Sequence, residues 1–255
     1  MTNKEITQTA AQDIAEQDII ETATEMGALP TYIQIAEHIS REINAGILLE
    51  GQRLPGERDM AKTYQVSVGT LRKSLARLTE LGLLERRQGS GNYIKKNLKS
   101  ATIYSLFRLE LRKGGGLPTA QLLCVETMAK PDDLPHFGSA DFAHRLRRLR
   151  FLDDIPIALE EIWLDGSIAD KIHHEQLSQS VYQFCKDEFN LWISHAEDWV
   201  GLAPIPDWTP APFPLKAGTI SGFVERFGTA QTNHTIEFSR TWYDSDVARY
   251  VARLT

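Results

Sequence analysis

Residues 57–94 run ERDMAKTYQVSVGTLRKSLARLTELGLLERRQGSGNYI, a short helical pattern, a longer one and a glycine-tipped hairpin in succession. Leu71, Leu75, Leu78 and Leu81 recur on one helical face, with Ser67 ahead of them as an N-cap and Gly82 behind them as a stop. Met60, Ala61 and Tyr64 mark a shorter helix before it, broken at Val66 and Ser67. After Gly82, two short strand-like runs meet at a turn containing Gly89, Ser90 and Gly91. Working outward, Tyr32, Ile35, Ala36, Ile39 and Ile43 keep helical spacing until Gly46. Three helices followed by a hairpin make a winged helix-turn-helix.

The charge pattern suits nucleic acid. The 255-residue chain carries a formal net charge of -6, distributed as -5 over residues 1–29, +4 over 30–97 and -5 over 98–255. A basic segment in an acidic chain points to a polyanion partner for that segment alone. Thr70, Arg72, Lys73 and Arg77 lie opposite the leucine face of the third helix, whose N-terminus adds a partial positive charge. Arg86 and Arg87 are placed to meet phosphates, and a glycine turn lets backbone approach a groove.

Composition bounds the rest. At 42% hydrophobic and 24% charged residues the chain is globular, neither disordered throughout nor collagen-like, and long enough for two domains. Cys124 and Cys185 are far apart with no CxxC or nearby His cluster, so they read as reduced thiols and no metal site is expected. No 18-residue apolar run occurs, and residues 1–29 read as an acidic, flexible leader rather than a targeting segment. These features predict a cytoplasmic, nucleoid-associated protein with no membrane partner and no cofactor.

Residues 30–36 (PTYIQIA), 51–58 (GQRLPGER), 67–72 and 81–91 (LGLLERRQGSG) closely resemble the DNA-binding domain of the GntR family of bacterial transcription regulators. The resemblance implies DNA contacts from Arg58, Ser67, Thr70, Arg72, Gln88 and Gly89; the exposed face adds Lys73. Where that family commonly has Arg after the cap, this chain has Val68 and then Gly69. Val cannot donate to guanine, so the operator is expected to depart from the usual half-site.

Beyond residue 98 the periodicity changes. Residues 121–128, 144–151, 155–163, 192–202, 219–226 and 235–243 read as strands, with a hairpin turn at Asp153 and Asp154. Residues 180–189 and the flanks of Asp141 read as helical. The expectation is an α+β protein with residues 30–95 as the winged helix, 96–101 as linker and 102–255 as an antiparallel-sheet domain. Arg148 and Arg150, two apart on a strand, point to one face, and Glu160 on the next strand can face them. Two guanidinium groups sharing a face need carboxylates or a bound anion. An internal Arg-Glu network and an anion site are both open on the residues alone.

Residues 145–161 (RLRRLRFLDDIPIALEE) resemble the signature hairpin of the HutC subfamily effector domain, called UTRA, which shares its fold with chorismate lyase. An all-helical sensor with metal-spaced Asp and His does not fit this pattern, and the chain is too short for the aminotransferase-like type. The resemblance implies an effector site formed by Ser105, Arg148, Arg150, Glu160, Ser180, Tyr182, Glu237 and Tyr243. Hydroxyls at a helix N-terminus suit phosphate oxygens, and Glu237 suits sugar hydroxyls or an amine. Five prolines within residues 203–214 forbid the short helix usual there and are expected to reshape one wall of the cleft; Trp208 and Phe213 read as packing residues. His173 and His174 point apart on any regular element and read as a solvated pair.

The sequence therefore predicts a repressor that binds a palindromic double-stranded operator as a homodimer and releases it on binding a small anionic effector. A sugar phosphate is the leading effector, with a free sugar or a carboxylate such as urocanate as alternatives. A lyase on the chorismate-lyase fold is the rival, but no nucleophile-base pair is legible and no catalytic residue is assigned.

Overall fold

The computed structural model describes residues 30–44, 46–95, 106–177 and 180–253. Three helices lead: α1 (Thr31–Asn44), α2 (Glu57–Thr63) and α3 (Val68–Glu80). Their apolar stripes converge, so that Ile35, Ala36, Ile39 and Ile43 of α1 pack with Met60 and Ala61 of α2 and with Leu71, Leu75 and Leu78 of α3. Ser67 caps α3, its Oγ accepting from the Thr70 amide at 3.0 Å. Gly82, at φ 70°, ends that helix, with the Leu83 amide donating back to the Leu78 carbonyl at 2.9 Å. Strands β1 (Leu84–Arg87) and β2 (Gly91–Ile94) form the antiparallel wing, and Leu84 and Ile94 anchor it in the helical core.

The second unit is a six-stranded antiparallel sheet. Its strands are β4 (Pro118–Ala129), β5 (Phe142–Leu152), β6 (Ile155–Asp165), β7 (Ile193–Pro204), β8 (Ile220–Ala230) and β9 (Thr235–Tyr243), in the order β4-β5-β6-β9-β8-β7. Asp153 and Asp154 join β5 to β6 in a two-residue hairpin, both at positive φ (48° and 61°), as a type I′ turn requires. Helix α4 (Val181–Phe189) lays Val181, Phe184 and Cys185 over Leu146, Ile162 and Leu164 at one end of the sheet. At the other end, the short strands β3 (Leu109–Leu111) and β10 (Ala248–Tyr250) pair with each other and cover Leu152, Ile157 and Ala158. Between these two apolar clusters the same sheet face is polar.

Two expectations need correction. The flanks of Asp141 are not helical: the Ser139 and Ala140 amides donate to the Asp165 carboxylate, which spends the donors a helix would use, and β5 begins at Phe142. The proline-containing segment does not line the arginine face. Ile205 and Phe213, with Trp208 beside them, pack on Leu149, Leu159 and Trp242, which belong to the opposite face. The leader (1–29), the linker (96–101) and Ser105 lie outside the described residues.

Candidate DNA-reading surface and effector cleft

On the winged helix, Arg58, Ser67, Arg72, Lys73, Gln88 and Gly89 are exposed and Thr70 is half-buried. The Thr70 hydroxyl sits 2.9 Å from the Ser67 hydroxyl, so the start of α3 presents two linked hydroxyls beside open amides. Arg72 is held by Glu57 of α2 at 2.7 Å, which aims its guanidinium along the outer surface. At the wing tip Gly89 takes φ 72° with nothing within 4 Å of the place its Cβ would occupy, leaving the backbone open to a close approach. Val68 packs partly into the helical core, so its side chain is not free to read a base. Arg53 is a basic residue that the pattern reading missed. It bridges Tyr93 on the wing and lies against Gly91.

Cross-strand register brings the expected effector residues onto one face of the sheet. Arg148 stands opposite Glu160, which stands opposite Thr241; Leu146 leads across Ile162 and Ser239 to Arg226 and Asp198; Leu164 stands opposite Glu237. Arg148 donates from Nε (2.9 Å) and Nη2 (2.5 Å) to Glu160 Oε2, and Arg150 Nη1 lies 3.9 Å from the same oxygen. Ser180 caps α4 through its hydroxyl, and Tyr182, two residues on, donates to Glu237 Oε1 at 3.1 Å. Glu237 Oε2 is buried and meets no donor in good geometry among the described residues, although Ser239 lies close enough to act on the carboxyl. A Cβ at Gly228 would lie 2.9 Å from that oxygen, and one at Gly222 would lie inside the Tyr243 ring, so these glycines make the room that Glu237 and Tyr243 occupy.

Three participants escaped the pattern reading. Arg226 donates to both oxygens of Asp198 at 2.5 and 2.6 Å, and the Tyr250 hydroxyl donates to Asp198 Oδ2 at 2.6 Å. Arg226 and Asp198 are distant in sequence, and only the β7-β8 register shows them to be opposite.

The electrostatics of the cleft are uneven. Burial pushes Glu237 up to about 7; the Arg226 charge opposes this and the Glu160 charge adds to it. Burial also acts on Glu160, but the Arg148 and Arg150 charges and the Arg148 hydrogen bonds outweigh it and hold that carboxyl below its ordinary range. Asp198 is likewise held down against its burial by Arg226 and Tyr250. Three guanidinium groups thus face two firmly ionised carboxylates and one that is partly protonated at neutral pH.

A separate concavity of about 660 Å³, at the end of the sheet lined by His136, Ser139, Ser167, Asn233 and His234, shares no residue with this cleft. Its Asp165 is saturated by Lys130, Ser139, Ala140 and Ser167. Among the described residues no cluster of His, Cys, Asp or Glu is placed to hold a metal, and no helix is long and apolar enough to cross a membrane.

Residues 31–94 match the family described as bacterial regulatory proteins, gntR family, and residues 114–249 match the UTRA domain. The chain belongs to the GntR family. Among its relatives is the HTH-type transcriptional regulator SmoD of Agrobacterium fabrum, 52% identical over 228 residues that cover 89% of this chain and 97% of SmoD. The Escherichia coli mannosyl-D-glycerate transport/metabolism system repressor MngR is 27% identical, covering 87% of this chain and 94% of its own. The sheet domain has the fold of the ligand-binding domain of a GntR-family regulator from Bordetella bronchiseptica, with TM-score 0.51 and 18% identity over 58% of this chain and 96% of that one. This GntR protein is accordingly a ligand-responsive, DNA-binding transcription regulator with a UTRA effector domain, and not an enzyme.

Proposed function

We propose that this regulator is a homodimeric repressor of a catabolic or uptake operon, released from a palindromic operator by a small anionic effector, foremost a sugar phosphate. Residues 30–95 read DNA through Arg58, Ser67, Thr70, Arg72, Lys73, Gln88 and Gly89. Residues 102–255 bind the effector through Arg148, Arg150, Glu160, Ser180, Tyr182, Glu237 and Tyr243, and Ser105 is carried from the family resemblance. The observation that carries the effector class is the pairing, on one buried sheet face, of a guanidinium row with Glu237 Oε2, a buried acceptor that no donor among the described residues meets in good geometry, Ser239 giving it only weak support. Buried acceptors are nearly always satisfied. A ligand with an anionic group at one end and hydroxyl or ammonium donors at the other satisfies both halves. MngR, named for a sugar that carries a carboxylate, agrees with this class.

Thermal melts of the full-length protein with glucose 6-phosphate, glucosamine 6-phosphate, glucose, galactose and urocanate test this. Stabilisation by the sugar phosphates alone, lost in Arg148→Ala and Glu237→Ala while DNA binding persists, is the expected result. If no anion stabilises the protein and both variants melt lower without ligand, the cluster is an internal network and the effector assignment falls. A response to urocanate or free sugar alone replaces the ligand class.

A further inference from the structure

Arg41 leaves the winged helix and enters the effector domain. Its Nη2 donates to the Leu109 carbonyl at 2.9 Å and its Nη1 to the Gly116 carbonyl at 3.3 Å. The receiving turn is built from Gly114, Gly115 and Gly116, all at positive φ. A Cβ at Gly116 would meet Leu152 at 2.9 Å, so glycine alone brings this carbonyl in. The Arg41 guanidinium also lies 5.0 Å from the centre of the Phe107 ring, and the Arg150 guanidinium lies 4.5 Å from the centre of the same ring. One aromatic ring is therefore shared by a cation of the DNA-binding unit and a cation of the effector cleft.

The two units also meet at a second place. A cavity of about 580 Å³ is lined by Tyr32, Ile33, Lys73 and Arg77 from the winged helix and by Gln183 of α4, the residue after Tyr182. Gln183 thus stands beside the Lys73 and Arg77 flank of α3. With Arg41 docked, the Lys73 flank of α3 is turned toward the effector domain.

We infer that Arg41 and Phe107 are the residues that couple the effector cleft to the DNA-binding unit, because Arg41 docks on a ring it shares with Arg150. Two guanidinium groups on one ring repel each other, with Glu160 3.9 Å from Arg150 on one side and Glu110 in the field of Arg41 on the other. An added anion on Arg148 and Arg150 weakens that repulsion, strengthens the Arg41 dock and so favours the arrangement in which Lys73 faces the effector domain. The direction agrees with effector-induced release and rests on the anionic-effector reading; the dock itself does not depend on it.

The test uses full-length protein, a duplex selected from a random pool by the wild type, and glucose 6-phosphate as probe. Arg41→Ala, which lies outside the cleft, is expected to bind the duplex about fivefold or more tighter without any ligand, since docking no longer competes. By reciprocity it should bind glucose 6-phosphate more weakly than the wild type, by the factor with which the probe strengthens the dock, and fail to release DNA even when the probe saturates it. Phe107→Ala should behave alike, and Phe107→Tyr, which keeps the ring, should restore release. Unchanged ligand-free DNA affinity in Arg41→Ala, or its release at the same probe concentration as the wild type, overturns the inference. If the wild type ignores the probe but Arg41→Ala still binds DNA more tightly, the effector class fails and the dock stands.

Discussion

Glu237 is the carboxyl whose protonation the fold brings to neutral pH. Its ordinary value is 4.5, and in the fold it titrates at about 7, chiefly through burial. Between those two pH values the folded protein holds a proton that the unfolded chain has released. Stability therefore falls as pH rises through this window, by about 3 kcal/mol in total. Glu237→Gln stays neutral throughout, so its melting temperature should fall less than the wild type's between pH 5 and pH 8, by roughly 6–12 °C; identical pH profiles would show that Glu237 is not the titrating group. The Arg226–Asp198 pair carries a different expectation. Removing one partner of a mostly buried pair strands the other, so Arg226→Ala should cost about 3–5 kcal/mol in a denaturant melt. A loss below about 1 kcal/mol, the range of exposed pairs, would mean that solvent reaches Asp198 freely. At this scale the sequence was legible where neighbours along one strand did the work. Arg148 and Arg150 share a face by strand periodicity alone, and Glu160 follows from a two-residue turn. Arg226, Asp198 and Tyr250 were not legible, because their meeting depends on the register of β7 on β8 and on where the C-terminal strand lands.

Helix α3 combines a structural and a reading role in the same terminal residue. The Ser67 hydroxyl caps the Thr70 amide, and the same hydroxyl is exposed where DNA phosphates would pass. The two roles separate by substitution. Ser67→Ala should lose about 1 kcal/mol of stability together with DNA affinity. Ser67→Asp keeps a capping oxygen and suits the helix dipole, so its melting temperature should match the wild type while its charge repels phosphate and abolishes binding in a fluorescence-anisotropy titration. If Ser67→Asp still binds DNA, α3 does not enter a groove by its N-terminus. Helices and long strands were readable because each carries its period over many residues. The ribbon strands β3 and β10 have three residues apiece, too few for any period to show, although they close one end of the cleft and receive Arg41. The flanks of Asp141 misled because Asp165, a residue of another strand, takes their amides. The wall formed by residues 203–214 was misplaced because proline content excludes a helix without saying which sheet face an extended segment covers.

At the scale of the whole molecule, the sheet ends in two strands of twelve residues each, β4 and β7. Among the described residues β7 pairs only with β8, and it carries the more exposed apolar side chains. Trp199, Val200 and Leu202 along it, and Ile220 at the start of β8, are more than half exposed. A long apolar edge with unpaired backbone groups is an aggregation hazard unless something covers it, and proteins ordinarily blunt such edges with charge, proline or a bulge. β7 has a bulge near Ile193–His195, charges at Glu197 and Asp198 and proline at Pro204, but the stretch Trp199 to Ala203 between them carries no charge and no proline. In the proposed homodimer, antiparallel pairing of β7 with its own copy about a two-fold axis would satisfy the backbone groups and cover the apolar side chains by one self-complementary contact. It would also supply the two-fold symmetry that the proposed palindromic operator demands, since one winged helix reads only a half-site. The proposed homodimer therefore makes a definite expectation for Leu202→Glu, whose side chain is 75% exposed in the single chain and so should leave the fold of each protomer intact. Two carboxylates brought together at a two-fold edge should shift the protein from dimer to monomer in sedimentation equilibrium, while its thermal response to glucose 6-phosphate persists. Operator affinity should fall by more than tenfold, because each half-site is then bound alone. A Leu202→Glu protein that sediments as a dimer and binds DNA like the wild type would place the dimer contact elsewhere, leaving the open edge of β7 to be explained by another partner.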